Sequence, residues 1–239
     1  MKGYLYAWGS ADCWSACVTI SPEVDLAFRL DADFRRTVEE AAGCTGEAAP
    51  EPHGESASSR LDGVADVVLL LDQPLPLGIA FAAAELFGRK ARRVRGEARA
   101  ARLLRACARG AEPRGGLPDL AGLLRIFGRK QAAGRVCRYA AVRFVRDSVR
   151  VLEARRLAAA AREAAAALEG RALLRGEAHA LLGAPARRSA AFVDAALQLA
   201  ALLGRVRLGS AIARGRRRRC RRCGSGEAHM RRTPCLACG

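Results

Sequence analysis

Residues 152–203 read LEARRLAAAAREAAAALEGRALLRGEAHALLGAPARRSAAFVDAALQLAALL, and the fold class turns on them. Leu152 to Leu182 is dominated by Ala, Leu, Glu and Arg, the strongest helix formers, so it predicts helix, split near Gly170 and Gly176. Pro185 interrupts the pattern and Ser189 is placed to cap a new helix. Phe192, Ala195, Ala196, Leu199, Leu202 and Leu203 then recur at i, i+3, i+4 and i+7, the core stripe of a packed helix ending at Gly204. Alanine faces let helices approach closely, so this region is expected to form a compact helical bundle or a protein–protein surface.

Reading toward the N-terminus, the region from Leu120 to Arg150 predicts helix, glycine-containing turn, helix. Its second helix carries Val142, Val145, Val149 and Leu152 on one side, with Arg143, Arg146 and Arg150 beside them. Helix-turn-helix DNA-binding modules share this layout, and so do many ordinary helical pairs. Gly110 to Pro118 is a Gly/Pro loop. The run from Gly88 to Arg109 places Arg92, Arg95, Arg99 and Arg102 at 3-4-3 spacing along one helical face, read equally as a solvated surface or a nucleic-acid contact. Gly96 within it is expected to weaken the helix by roughly 1 kcal/mol relative to alanine. Phe87-Gly88-Arg89-Lys90 recurs as Phe127-Gly128-Arg129-Lys130, but the flanks align poorly and the echo reads as coincidence.

The N-terminal part differs in kind. Tyr4 to Trp8 and Cys17 to Ile20 are aromatic or β-branched and bounded by turn residues, a hairpin pattern. Val24 to Ala42 predicts a helix stopped by Gly43, and Gly46 to Gly63 has loop composition. Val64 to Leu71 predicts a buried strand ending at Asp72 and a Pro-x-Pro turn, followed by helix from Ile79 to Phe87. The expected fold is mainly α with a small α/β N-terminal part, a helical bundle-like middle and a C-terminal four-cysteine module. The expected domains are an acidic α/β domain 1–83, with 46–63 as linker, a basic helical domain 84–204, and an arginine-rich tail 205–239.

Charge sharpens that division. The 239-residue chain carries a net charge of +17. Residues 1–83 hold 5 Lys/Arg against 13 Asp/Glu, and residues 84–239 hold 36 against 11. Such asymmetry fits a polyanion-binding region beside an acidic domain that docks a protein partner. Arginine in place of lysine reflects a GC-rich genome, but that bias does not explain the opposite signs of the two halves. The texture is similar to proteins of GC-rich bacteria and of GC-rich large DNA viruses. Nine cysteines, odd in number and mostly scattered, are not a disulfide framework and favour a reducing compartment. The N-terminus does not read as a secretory signal, and the longest apolar stretch, Val64 to Phe87, is broken by Asp66, Asp72, Gln73, Pro74 and Pro76. The protein is expected to be intracellular, nuclear if eukaryotic or viral, with no membrane partner.

The chemistry is concentrated in the last twenty residues, CRRCGSGEAHMRRTPCLACG. Two Cys-x-x-Cys-Gly turns supply Cys220, Cys223, Cys235 and Cys238, a four-thiolate set suited to one structural Zn2+. His229 lies between them, but four cysteines complete the shell. From Arg205 onward eleven arginines face one acid, Glu227. Arg214, Arg216, Arg217, Arg218, Arg219, Arg221, Arg222, Arg231 and Arg232 are the expected nucleic-acid contacts, held in one arrangement by the metal. The arginine run also fits a nuclear-import signal.

CRRCG and CLACG resemble the knuckles of zinc-ribbon and short four-cysteine finger modules of transcription and RNA-binding proteins. That resemblance spans about twenty residues and implies zinc ligation by the four cysteines and nucleic-acid contact by their basic neighbours. The segment departs from a polymerase-type ribbon in its short loop and its lack of sheet-forming residues.

Catalytic readings are weaker. Asp62, Asp66, Asp72 and Glu85 surround the buried strand without a paired motif for a magnesium nuclease. Cys13, Cys17, Cys44 and His53 have irregular spacing for a second zinc site. No Ser/His/Asp set, phosphate-cradling glycine loop or dinucleotide fingerprint occurs. The expected function is non-enzymatic: a zinc-stabilised DNA- or RNA-binding protein of the transcription-regulator kind. The alternative is a protein-interaction or assembly protein whose zinc only folds the tail.

Overall fold

The computed structural model describes residues 2–10, 13–43, 67–109, 134–183 and 188–209, with the backbone of 212–213 and 219–220. Most of these are helical, gathered around a small antiparallel sheet.

The sheet is built on β1 (Lys2–Gly9), which pairs with β2 (Trp14–Thr19) on one side and β3 (Val67–Leu71) on the other. A short β4 (Leu75–Pro76) pairs with the start of β1. β5 (Val136–Ala140) pairs with β3 as the outer strand, with Leu69 opposite Arg138 and Val68 opposite Tyr139. This strand was read within a helical pair. Val136, Cys137 and Tyr139 suit a strand, and β3 offers them an unpaired ladder, so tertiary pairing decides the conformation.

Alternation sends Leu5, Ala7, Val67, Leu69 and Leu71 to one face, and Tyr6, Trp8, Val68 and Leu70 to the other. Helices cover both faces, which is why β3 reads VVLLL without a polar position and is buried throughout. On the first face lie α3 (Leu77–Ala91) and α4 (Glu97–Ala108), through Ile79, Ala83, Leu86, Phe87, Ala100, Leu104 and Cys107.

On the second face lie α1 (Pro22–Leu30) and the start of α5 (Ala141–Val151). The helix expected over 24–42 is two helices, because Asp31 ends α1 and caps α2 (Ala32–Ala42), its side chain accepting from the Phe34 amide at 2.7 Å. Gly43, at φ 72°, closes α2 in the left-handed conformation that glycine permits. The stripe expected on α5 is rotated: Ala141, Val145 and Ser148 are buried, whereas Val142 is 70% exposed.

The 152–203 region divides into α6 (Ala154–Leu168), α7 (Arg175–Gly183) and α8 (Ala190–Leu202). Gly170, at φ 65°, stands at the first break, and Gly176 lies inside α7. Ser189 caps α8, accepting from the Phe192 amide at 3.2 Å. Ala158, Ala161, Ala195 and Ala200 pack with Val24, Phe34 and Val38, so the alanine faces bury against α1 and α2 of the same chain. The boundary between residues 83 and 84, where charge changes sign, falls inside α3, and Ala82, Ala83, Leu86 and Phe87 share one cluster across it.

Candidate functional site

The backbone of β6 (Ile212–Ala213) pairs antiparallel with β7 (Arg219–Cys220), setting Ile212 opposite Cys220 and Ala213 opposite Arg219. Cys220, the first cysteine of the predicted zinc set, thus stands in a two-residue antiparallel ladder. Cys223, Cys235 and Cys238 lie outside the described residues. So do Arg214, Arg216, Arg217, Arg218, Arg221, Arg222, Arg231, Arg232 and His229. Four thiols in two Cys-x-x-Cys turns remain a donor set that fits Zn2+.

Among the described residues no group of three or more His, Cys, Asp or Glu side chains is placed to hold a metal ion. Cys13 is exposed and Cys17 half-buried, while Cys44 and His53 lie outside the description. Asp72 is an exposed turn residue whose amide donates to the Arg135 carbonyl at 3.1 Å, and Glu85 pairs with Arg89. Asp62 and Asp66 lie outside the description. Of the helix-turn-helix pattern, residues 120–133 are outside it and 136–140 form β5.

The continuous arginine face expected from Arg92 to Arg102 is interrupted. Arg92, Arg93 and Arg95 lie in the connection after α3, and α4 begins only after Gly96. Gly96 stands at φ 78° and ψ 150°, a backbone region open essentially to glycine alone. It is a helix start, not a weak point within a helix. Arg99 and Arg102 on α4 are exposed, whereas Cys107 on its inner side is buried and its thiol is pushed up to about 11 by burial. Glu97 receives both Nε and a terminal nitrogen of Arg138, the latter at 3.1 Å, and this pairing lowers its carboxyl below the ordinary range.

Two polar clusters have no counterpart in the sequence reading. In the first, the fully buried Asp25 accepts from the Tyr6 hydroxyl, from Arg29 Nε at 3.3 Å and from Gln198 Nε2 at 3.3 Å. Gln198 Oε1 accepts from the Ile20 amide at 3.0 Å, and the Arg29 guanidinium lies 5.1 Å above the Trp8 ring. Burial, and then the Asp25 charge, push the Tyr6 phenol well above its ordinary value. Burial also raises the Cys17 thiol above its ordinary value.

In the second, Asp194 accepts from Arg175 through two nitrogens and lies 2.8 Å from His179 Nε2. Arg175 and Asp194 line a cleft of about 530 Å³ together with Tyr4, Glu23, Arg156 and Phe192. The trace of both clusters in the sequence is a carboxylate inside an otherwise apolar helical run, Asp25 in VDLAF and Asp194 in FVDAALQL.

No family model, curated protein or solved structure matches the chain. Among the described residues no helix is long and apolar enough to cross a membrane.

Proposed function

We propose that the chain is a zinc-stabilised nucleic-acid-binding protein, in the manner of a transcription regulator, contacting phosphates through its C-terminal segment. Cys220, Cys223, Cys235 and Cys238 would hold one zinc ion. Arg214, Arg216 to Arg219, Arg221, Arg222, Arg231 and Arg232 would meet the phosphate backbone. The observation that carries this reading is the pairing of two Cys-x-x-Cys-Gly turns with a nearly acid-free arginine run. The β6–β7 ladder supports it, because it holds the backbone of Arg219 and Cys220, the first cysteine, in a paired strand. Zinc would supply a crosslink: the four thiols would lose their protons to bind it, and the loop so closed would give up entropy before nucleic acid arrives. By this reading the protein works inside the cell, in the nucleus if its source has one.

A second reading, an interaction or assembly protein with purely structural zinc, is favoured by the exposed Tyr139 and Val142 beside the outer strand β5. Salt distinguishes the two. Phosphate contact predicts affinity falling with log salt by about 0.9 per phosphate on duplex DNA, whereas apolar docking responds little. The test is metal content and binding to labelled duplex DNA and single-stranded RNA across a salt series, for the intact chain and for Cys220→Ser/Cys235→Ser. One zinc, lost in the variant, and salt-steep binding, weakened and with a shallower slope in the variant, are expected. Zinc without binding transfers the case to assembly, and no zinc overturns the metal site.

A further inference from the structure

We infer that the outer surface of α4 and of the connection before it is a second phosphate-binding face for nucleic acid, one that does not depend on zinc. Between residues 89 and 109 the chain carries nine Lys/Arg and one acid, Glu97. That acid is already occupied by Arg138 of β5, so its charge is not available to the neighbouring arginines. Arg92, Arg93, Arg99, Arg102 and Arg109 are all exposed, and among the described residues no carboxylate pairs with any of them. Soluble surfaces ordinarily intersperse the two signs, because clustered like charges repel; a face left this positive is matched to an anion.

The geometry gives that anion a shape. Arg99, Arg102 and Arg109 lie on the side of α4 away from Leu104, Cys107 and Ala108, which are sunk in the sheet cluster. Ten residues of helix separate Arg99 from Arg109, a rise of about 15 Å, enough to follow two or three consecutive phosphates of one strand. Arg92 and Arg93, in the connection before Gly96, extend the row beyond the helix start. Charge also differs between helix pairs: residues 77–109 hold 9 Lys/Arg against 2 acids, whereas residues 21–43, which form α1 and α2, hold 3 against 6. Those two helices pack in the clusters of the other face. α5, on that same second face, holds 3 Lys/Arg against 1 acid, so the two sides differ in degree.

This inference rests on nucleic-acid binding as the function but not on the C-terminal segment. The experiment compares full chains: wild type, Arg99→Gln/Arg102→Gln/Arg109→Gln, Arg92→Gln/Arg93→Gln, and Cys220→Ser/Cys235→Ser. Each binds a labelled duplex of random sequence over a salt series, with circular dichroism and the thermal midpoint as folding controls. The triple variant is expected to keep its fold and lose about 2 to 3 from the log–log salt slope. The double arginine variant is expected to lose a smaller part. The cysteine variant is expected to keep the share of the slope that the arginine substitutions remove. Unchanged slopes in both arginine variants, with binding lost in the cysteine variant, would overturn the face and leave the tail reading intact. Binding lost in the arginine variants alone would retain the face and overturn the tail. A wild-type chain without salt-dependent binding would overturn both.

Discussion

The buried Asp25 shows how one charge organises its surroundings. A carboxylate removed from water must find donors or lose its charge, and Tyr6, Arg29 and Gln198 are drawn onto it from β1, α1 and α8. Its effect on Tyr6 sets a pH dependence. A phenol value raised by folding contributes stability that is complete below about pH 10, where an unfolded tyrosine is also neutral, and that is lost as pH climbs toward the folded value. An ultraviolet titration of the three tyrosines should therefore leave Tyr6 protonated past about pH 10, its ionisation coinciding with loss of ellipticity. Tyr6→Phe should remove that late step and cost about 1.5–3 kcal/mol, the range for a hydrogen bond to a charged group. All three phenolates appearing while the helices stay intact would contradict the assignment.

At the scale of elements, Gly96 aims α4. A glycine inside a helix gains roughly 1 kcal/mol when replaced by alanine, whereas one at φ 78° and ψ 150° loses about 1–3 kcal/mol, so the sign of the change distinguishes the two descriptions. Gly96→Ala should lower the unfolding free energy measured in urea; a gain would restore a continuous helix through residue 96. The error in the sequence reading here has a physical origin. Arginine spacing is equally regular on either side of a turn, and periodicity alone does not register a break. Elements with strong local patterns were legible: the β1–β2 hairpin, β3, α6, and α8 with its Ser189 cap all occur within a few residues of where composition and caps place them. β5 was not, because five residues with a central arginine carry little intrinsic preference and take their form from β3. The rotated stripe of α5 has the same cause, since its first buried residue, Ala141, is set by the strand that precedes it. Of the candidate site, the cysteine and arginine pattern is legible in the chain alone. The buried clusters of Asp25 and Asp194 were hidden because Tyr6, Gln198, Arg175 and His179 lie on other elements.

The whole molecule is interlocked more tightly than its charge pattern implies. Both tryptophans, Trp8 and Trp14, lie in the sheet, while most of the ellipticity belongs to helices drawn from the length of the chain. If sheet and helices form one cooperative unit, urea unfolding followed by tryptophan fluorescence and by far-ultraviolet dichroism should give coincident transitions. Separated midpoints would show that the acidic and basic parts unfold independently. The amide of Ile20 is satisfied by Gln198, a residue 178 positions further along. Synthesis proceeds at about 5–20 residues per second, so on a ribosome this partner arrives roughly 10 to 35 s after Ile20. For that interval the first strands and α1 emerge with Asp25 still incompletely partnered, exposed to chaperones and proteases, and α8 is the latch that ends the wait.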